Sequence, residues 1–258
     1  MTVLLVLAKS PVAGQVKTRL RPPATPADAA RIAAAALLDT IDAVRATAGV
    51  SPVLALAGQL ADADVSTDTA AELAATTSDW LVLPQRGTDL GDRLANAHAD
   101  VARAYPGQQV LQIGMDTPQV TAAQLTDAVD LLADAGAVLG PAADGGWWAL
   151  GLQNPCDADV LRTVPMSTAD TGRRTWLALH GRGLFVARLP LLRDVDDWGD
   201  ALAVAELVPG SRFAHQVAAV RPTRPVRSAQ AGSVGPAGSV STAGPAGPVR
   251  PAGGGRRG

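Results

Sequence analysis

Several charged residues in this chain have the types and spacing needed to bind a phosphorylated ligand. The loop after the apolar N-terminal run contains Lys9, Gly14, Lys17 and Arg19 close together. Backbone amides and cationic side chains in such a loop can bind a diphosphate. The plain alternative is a solvent-exposed loop that happens to contain Lys and Arg, and this stretch alone does not separate the two.

Carboxylates occur at three later positions in the chain. Asp116 directly follows an apolar run, Asp144 precedes two glycines, and residues 194–197 include three aspartates. A carboxylate after a strand can hold Mg²⁺ or Mn²⁺ against a diphosphate, because hard cations prefer oxygen ligands. A second carboxylate from 194–197 near Asp116 would complete such a site. The alternatives are that Asp116 belongs to a turn before Pro118 and that aspartates of 194–197 cap a helix.

The segment after Asp144 has the composition of a binding pocket. Gly145 and Gly146 allow a close backbone approach to a ligand, and Trp147 and Trp148 can form a pocket wall. We expect these four residues to line an acceptor pocket, although neighbours on a strand point to opposite faces and one tryptophan can be a core residue.

A further Gly-containing segment spans residues 85–93. Gly91 and Arg93 are candidates for contact with a base or a phosphate of a nucleotide. The alternative is a loop that caps the helix after it.

Two common nucleotide-binding motifs are absent from the sequence. A Walker A loop needs glycine immediately before the lysine and again five residues earlier, but Val16 and Pro11 occupy these positions around Lys17. The sequence also lacks a GxGxxG fingerprint, which disfavours a dinucleotide-binding Rossmann domain. No Cys/His pair has the spacing of a zinc site.

Short apolar runs alternate with helical patterns along residues 1–207. Strands are predicted at 3–8, 52–57, 79–83, 110–114, 137–140, 147–152 and 184–188. Helices are predicted at about 25–47, 69–75, 93–105, 121–135, 171–180 and finally 197–207. This order predicts an α/β fold whose mostly parallel sheet has helices on both faces. Strand 147–152 follows its predecessor too closely for a helical crossover, so we expect it to pair antiparallel at an edge of the sheet or beside it.

Composition and charge restrict the function further. Residues 221–258 contain six arginines and no acid, so the remaining 16 basic and 24 acidic residues give 1–220 a net charge of −8. An acidic body is a poor candidate for specific nucleic-acid binding. Residues 221–258, rich in Pro, Gly, Ala and Arg, are predicted to be a disordered tail after a domain at 1–220.

The sequence also gives an expectation for the cellular compartment. Cys156 is the only cysteine, and no apolar stretch reaches the roughly 20 residues of a membrane span. We therefore expect a cytoplasmic protein without disulfides or a membrane span.

The motifs together resemble a known family over about residues 3–207. Its pattern is matched by the segments 8–20, 89–93, 113–118, 140–146 and 194–196. They resemble the bacterial radical-SAM/selenodomain-associated transferase 1 family, which is similar to GT-A glycosyltransferases and to molybdopterin and phospholactate guanylyltransferases. The chain departs from the family pattern at Met115, Trp147–Trp148 and Met166, and these departures concern the acceptor pocket more than the nucleotide site.

The resemblance implies a three-layer nucleotide-diphosphosugar transferase (GT-A-like) fold with one antiparallel strand. It implies that Lys17 and Arg19 contact phosphates and that Asp116 and Asp196 bind Mg²⁺ or Mn²⁺.

Two reactions and one binding role follow as hypotheses. The first is glycosyl transfer from a nucleotide sugar to a small acceptor, with Asp144 as the base and Lys17 as an electrostatic catalyst. The second joins a nucleoside triphosphate to a phosphorylated small molecule and releases pyrophosphate. The third is a nucleotide-binding module without turnover.

Overall fold

The structure, a computed structural model, describes residues 1–220. Seven strands form one sheet: β1 (Thr2–Lys9), β2 (Val50–Ala57), β3 (Leu81–Pro84), β4 (Gln109–Gly114), β5 (Ala137–Pro141), β6 (Trp147–Leu152) and β7 (Val186–Arg188). Their order across the sheet is β3-β2-β1-β4-β6-β5-β7. The predicted tail at 221–258 lies outside the described residues, so the proposed domain boundary stays a prediction.

Seven α-helices accompany the strands in the described part of the chain. They are α1 (Pro26–Arg45), α2 (Thr67–Thr76), α3 (Leu90–Ala104), α4 (Ala122–Asp134), α5 (Thr171–Gly181), α6 (Trp198–Leu207) and α7 (Arg212–Ala219). A 3-10 helix spans Pro155–Thr163. Reciprocal capping boxes begin α1 at Thr25 and α4 at Thr121.

The sheet is mostly parallel, which confirms the predicted α/β class. β1 pairs in parallel with β2 and β4, whereas β6 pairs antiparallel with both β4 and β5. The antiparallel prediction for β6 is therefore right, but this strand lies inside the sheet, two strands from the edge. Its sequence already fits an interior position, because five of its six residues are buried.

Apolar side chains fill a layer on each face of the sheet. On one face Leu4, Val6 and Ile113 pack against α1 and α4, and on the other Leu5 and Val110 pack against α3 and the 155–163 helix. This is the three-layer arrangement of nucleotide-diphosphosugar transferases. Because strand directions are shared by β1, β2, β3 and β4, their carboxyl ends meet at one edge, which is where ligands bind in such sheets.

Helix α7 was absent from the sequence prediction, which ended its last helix at residue 207. It forms because tertiary contacts stabilise it: Phe213 is fully buried and packs with Leu20 and Val195 in a third apolar cluster between α1, α6 and α7. A segment of eight residues has too few periodic positions to predict a helix by itself.

Candidate functional site

A cavity of about 670 Å³ opens at the carboxyl ends of the strands. Its wall includes Ala8 and Lys9 at the end of β1, Ala57 at the end of β2, and Asp116 just after β4. The loop between β5 and β6 and the segment after β7 complete the wall. Its volume is in the range typical of small-molecule sites in proteins. The predicted basic loop and the predicted carboxylates thus line one cavity.

Lys17 links the loop after β1 to the loop after β4 and to the segment after β7. Its ammonium group forms an ion pair with Asp116 and donates a hydrogen bond to the carbonyl of Val195. The side chain of Lys17 is only 8% exposed, whereas that of Asp116 is 48% exposed. Lys17 therefore balances the charge of Asp116 and fixes the basic loop against the segment after β7.

The segment after β7 is held by backbone hydrogen bonds as well. The Val195 amide donates to the Asp116 carbonyl (2.8 Å), and the Leu192 amide donates to the Pro141 carbonyl (3.1 Å). The indole of Trp148 donates to the Pro190 carbonyl (2.9 Å). These contacts bring the aspartates at 194 and 196 beside the ends of β4 and β5, although these strands end far earlier in the chain, at Gly114 and Pro141.

Three aspartates form a compact acidic cluster in this cavity. Asp144, Asp194 and Asp196 each place a carboxylate oxygen within 4.8 Å of the other two. Oxygen ligands on opposite sides of a Mg²⁺ or Ca²⁺ ion are about 4 to 5 Å apart, so the donor set and its span fit a hard divalent cation. We name Asp144, Asp194 and Asp196 the acidic triad.

The electrostatics of the triad also fit a cation. Burial, with the neighbouring charges of Asp144, Asp196 and Asp116, raises the pKa of Asp194 to about 6. Burial likewise raises the pKa of Asp196, and the positive charge of Lys17 opposes that shift. The triad thus holds more negative charge than its protein neighbours balance, and a divalent cation would relieve the repulsion.

The structure groups the predicted metal ligands and the predicted base in a way that differs from their predicted roles. Asp196 lies in the triad, as the resemblance implies for a ligand, and Asp144, predicted as a base, lies there too. Asp116 lines the same cavity but is bonded to Lys17. Asp194 was part of the sequence motif without an assigned role. Only the fold shows that Asp194 faces Asp144 and Asp196, whereas Asp197 caps α6.

The remaining basic residues of the first loop differ in exposure. Arg19 is 73% exposed and lies 3.4 Å from Asp196, so its guanidinium reaches the rim of the triad. Lys9 lines the cavity and donates to the Gln15 carbonyl (2.8 Å). Gly14 has a φ of +77°, a conformation that glycine adopts at no steric cost, but it is outside the cavity lining among described residues. It shapes the loop instead.

The Gly-Gly-Trp-Trp segment is divided between packing and the cavity. A side chain at Gly145, where φ is +89°, would collide with the carbonyl of Ala169, so this glycine permits a close approach of two loops. Gly146 lines the cavity and donates its amide to Asp144 (2.7 Å). Trp147 and Trp148 also line it, from opposite faces of β6, and Trp148 is largely buried.

The two candidates of segment 85–93 have different surroundings. Gly91 is buried where a side chain would collide with the Leu161 carbonyl, so the structure gives it a packing role between α3 and the 155–163 helix. Arg93 lines the cavity and also a second cavity of about 510 Å³ that continues beyond Met166 and Ser167. Arg93 therefore stands where the two cavities meet.

The cavity is also lined by residues to which sequence patterns assigned no individual contact. They include Gln85 and Leu90 of segment 85–93, Leu94, Gln112 and the loop 166–169, whose Met166 departs from the family pattern. Ser167 has a φ of +58°, unusual for a residue other than glycine. A buried Gln in a strand and a strained Ser in a loop give no periodic signal, so only the fold identifies them.

Within residues 1–220, every helix is too short or too polar to cross a lipid bilayer.

Several solved structures share this fold. A protein described as a candidate nucleotide-diphospho-sugar transferase from Desulfovibrio desulfuricans G20 is 23% identical, with a TM-score of 0.71 over 84% of this chain and 92% of that one. CMP:2-keto-3-deoxy-manno-octonic acid synthetase, solved with CTP, is 10% identical (TM-score 0.51; 81% and 98% covered). A cytidylyltransferase from Leptospira borgpetersenii is 13% identical (TM-score 0.51; 84% and 92% covered). At these identities the likeness establishes the fold.

Sequence comparison identifies the family. No curated protein matches the chain. The narrower resemblance to the radical-SAM/selenodomain-associated group stays a prediction. One family does match, over residues 40–168, which is half of the chain. This protein therefore belongs to the family described as "uncharacterized protein conserved in bacteria (DUF2064)".

Proposed function

We propose that this protein is a transferase that uses a nucleotide-activated donor together with a divalent cation. The observation that carries the proposal is the convergence of the basic loop and four aspartates in one cavity at the strand ends. The fold shared with nucleotide-diphospho-sugar transferases and cytidylyltransferases supports it. Fold by itself does not define an activity, so the argument depends on the side chains.

The acidic triad would hold Mg²⁺ or Mn²⁺, with Asp116 next to it. When bound, the cation would neutralise charge on the donor's phosphates. Lys9 and Arg19 line or border the cavity and would contact phosphate oxygens. Lys17 would add positive charge from within the wall, where burial limits its hydration and its bonds fix its position.

Glycosyl transfer from a nucleotide sugar is the leading reaction. The second cavity beyond Arg93 provides room for an acceptor next to the donor site. Asp144 would accept the proton of the acceptor hydroxyl while the sugar–phosphate bond breaks and a nucleoside diphosphate leaves. Gly146, Trp147 and Trp148 would form the part of the acceptor pocket that lies in the first cavity.

Nucleotidyl transfer is the second candidate, and one observation favours it. Among the described residues that line the cavity there is no Glu or His, and Asp144 itself belongs to the triad. A base separate from the cation site is thus lacking. Transfer of a nucleotide to an anionic phosphate needs no base, because the attacking oxygen carries no proton as pyrophosphate leaves.

Thermal unfolding with ligands tests the proposal. We would measure melting temperatures with nucleoside triphosphates and nucleotide sugars, with and without Mn²⁺. A ligand at 100 times its Kd should raise the melting temperature by about 5 to 10 °C, and only with the metal. The control Asp127→Asn, an exposed carboxylate on α4, should respond like the wild type. Unchanged melting across the whole panel overturns the proposal.

Product analysis then separates the reactions. Release of a nucleoside diphosphate from a nucleotide sugar supports glycosyl transfer, and pyrophosphate release from a triphosphate supports nucleotidyl transfer. Tight metal-dependent binding without either product across a broad set of acceptors supports the non-catalytic binding module instead.

A further inference from the structure

Two polar side chains lie together in the apolar layer beneath the cavity. His98 on α3 is fully buried, and its Nε2 is 3.3 Å from Oε1 of Gln112 on β4. Their neighbours on that face are apolar, among them Leu5, Leu94 and Leu150. Burying a polar pair in such a layer costs free energy that an apolar pair would not.

The hydrogen-bonding capacity of His98 is only half used. Its Nδ1 is buried and has no partner in the part of the chain that the structure describes. A buried polar atom without a partner is uncommon and calls for an explanation. Stability gives none here, because leucine or phenylalanine would fill the same position on α3 without a lost hydrogen bond.

Gln112 is the member of the pair that reaches the cavity. It is 3% exposed and belongs to the cavity wall, while His98 lies behind it. An amide oxygen only accepts hydrogen bonds, so the contact requires that His98 Nε2 donates. The amide nitrogen of Gln112 makes no hydrogen bond to any residue within 1–220, and both of its hydrogens are left for the cavity.

Burial keeps His98 in the state that this contact needs. Burial lowers its pKa to about 4, although the hydrogen bond to Gln112 opposes the shift. His98 is therefore neutral at physiological pH. A neutral ring carries one proton, and with that proton on Nε2 the unpartnered Nδ1 is a bare acceptor rather than a buried N–H group.

The surroundings of Gln112 indicate what it contacts. The charged residues of the cavity lie at and beyond the strand ends, whereas Gln112 lies within β4, two residues before Gly114. Leu7, Leu90 and Leu94 line the cavity on the same side of the sheet. An apolar slot with one fixed amide donor, next to a site for phosphates, suits the flat face and one edge of a nucleobase.

We propose that Gln112, held by His98, is a fixed hydrogen-bond donor that selects nucleotides whose base carries a carbonyl oxygen. Guanine, cytosine and uracil have such an oxygen, whereas the exocyclic group of adenine is an amino group, whose N–H bonds would face the Gln112 donor. Gln112 contacts the base and determines specificity, and His98 is a positioning residue that acts through it. This inference rests on the proposed nucleotide-binding function and adds the base to it.

Calorimetric titrations in Mn²⁺ with GTP, CTP, UTP, ATP and inorganic pyrophosphate test the inference. The wild type should bind at least one of GTP, CTP and UTP about tenfold more tightly than ATP, the value of one well-placed hydrogen bond. Gln112→Met, which keeps the length of the side chain, should remove that preference. Affinity for pyrophosphate, which has no base, should stay within about twofold.

Gln109→Met is the matched control. It lies on the same strand, and its amide bonds to Thr2 away from the cavity. The preference among bases should survive this change. Loss of the preference in both variants would mean that β4 is merely distorted, which overturns the inference.

The role of His98 is tested with a double-mutant cycle. His98→Phe should lose the base preference to the same extent as Gln112→Met, and the double variant should lose no more than either. Independent, additive losses would show that His98 does not act through Gln112. If a variant does not fold, the side-chain amide resonances of Gln112 in the wild type provide the test: they should shift with the preferred nucleotide and not with pyrophosphate.

The two hypotheses fail in different ways. If neither pyrophosphate nor any nucleotide binds, the proposed function is wrong and the inference falls with it. If nucleotides bind but ATP binds as tightly as the others, or Gln112→Met keeps the wild-type preference, only the inference is wrong.

Discussion

Two groups of three carboxylates in this protein have opposite surroundings. On the outer side of α1, Asp39, Asp42 and Glu72 converge on Arg212, which lies 2.7 Å from Glu72 and 3.4 Å from Asp39. In the cavity, the triad of Asp144, Asp194 and Asp196 has no comparable partner in residues 1–220. Its nearest cations are Arg19, at the exposed rim, and Lys17, which is bonded to Asp116.

The difference separates a structural cluster from a binding site. The Arg212 cluster contains its own cation, and hydrogen bonds to Asp42 and Glu72 hold the pKa of Arg212 above its usual value. There the ion pairs dock α7 on α1. In the triad the pKa values of two acids, Asp194 and Asp196, are raised instead, first by burial and then by the neighbouring carboxylates. Carboxylates that lack a protein cation are available to an external one.

The largest expected effect is on cation binding. Asp196→Asn should weaken Mn²⁺ binding on the order of 100-fold, because it removes one charged ligand of the triad. Asp116→Asn should weaken it by about tenfold or less, since Asp116 is already neutralised by Lys17. Mn²⁺ affinity measured by electron paramagnetic resonance distinguishes the two.

The Arg212 cluster supplies the control for this measurement. Asp42→Asn should leave Mn²⁺ affinity unchanged. Equal losses for Asp116→Asn and Asp196→Asn would instead favour the pair of ligands that the family resemblance implies.

The next effect is on folding. Arg212→Met should lower the free energy of unfolding by about 2 kcal/mol, because it leaves three carboxylates without their cation. Arg45→Met, which removes an exposed pair with Asp79, should cost about 0.5 kcal/mol or less. Urea denaturation gives both values. A loss for Arg212→Met no larger than for Arg45→Met would contradict the structural role of the cluster.

A smaller change in the free energy of unfolding is expected for a substitution in the triad, and this change is a gain rather than a loss. The pKa of Asp194 is raised to about 6 in the folded state from about 3.8. The folded state therefore binds more protons than the unfolded state between these values, and Asp194 destabilises the metal-free protein most above pH 6. Asp194→Asn should stabilise it at pH 7.5 by about 1 kcal/mol, a value discounted for solvent screening.

The pH dependence checks the sign. The advantage of Asp194→Asn over the wild type should shrink as the pH falls from 7.5 to 5, since the wild-type carboxyl becomes protonated. Denaturation curves of both proteins in a chelator, at several pH values, measure this difference. A constant difference would show that the pKa of Asp194 is not raised.

The smallest effect concerns the rim of the cavity. Arg19→Met should change stability by less than about 0.5 kcal/mol, because the Arg19–Asp196 pair is exposed. Affinity for pyrophosphate should nevertheless fall about fivefold, the value of one charged contact. Arg31→Met, which removes a pair with Asp28 on α1 away from the cavity, should leave the pyrophosphate affinity unchanged. An unchanged pyrophosphate affinity would exclude Arg19 from the phosphate site.

Local patterns predicted the fold well because each strand and cap has a local cause. The capping box at Thr25, for example, requires only residues 25–28. The order of the charged groups after successive strands also placed them at one edge of the sheet. The partners of these groups were not predictable, because Lys17 meets Asp116 and Val195 only through tertiary packing.

The same limit applies to the residues that were missed. Asp194 and Asp197 look alike in sequence, but one faces the triad and the other caps α6. Gln112 and His98 stand where an apolar residue is expected, and their partnership links a helix to a strand. Such pairs follow no fixed spacing in the sequence, so only the three-dimensional structure reveals them.

Val195 determines when the site can assemble. Its amide and carbonyl bind Asp116 and Lys17, 79 and 178 residues earlier in the chain, and its side chain is buried with Leu20 and Phe213. During synthesis all seven strands are made before Val195, so the contacts of Lys17 and Asp116 with this residue form only afterwards. Closing so long a loop is slow. Completing the cavity should therefore be one of the last events in the folding of this protein.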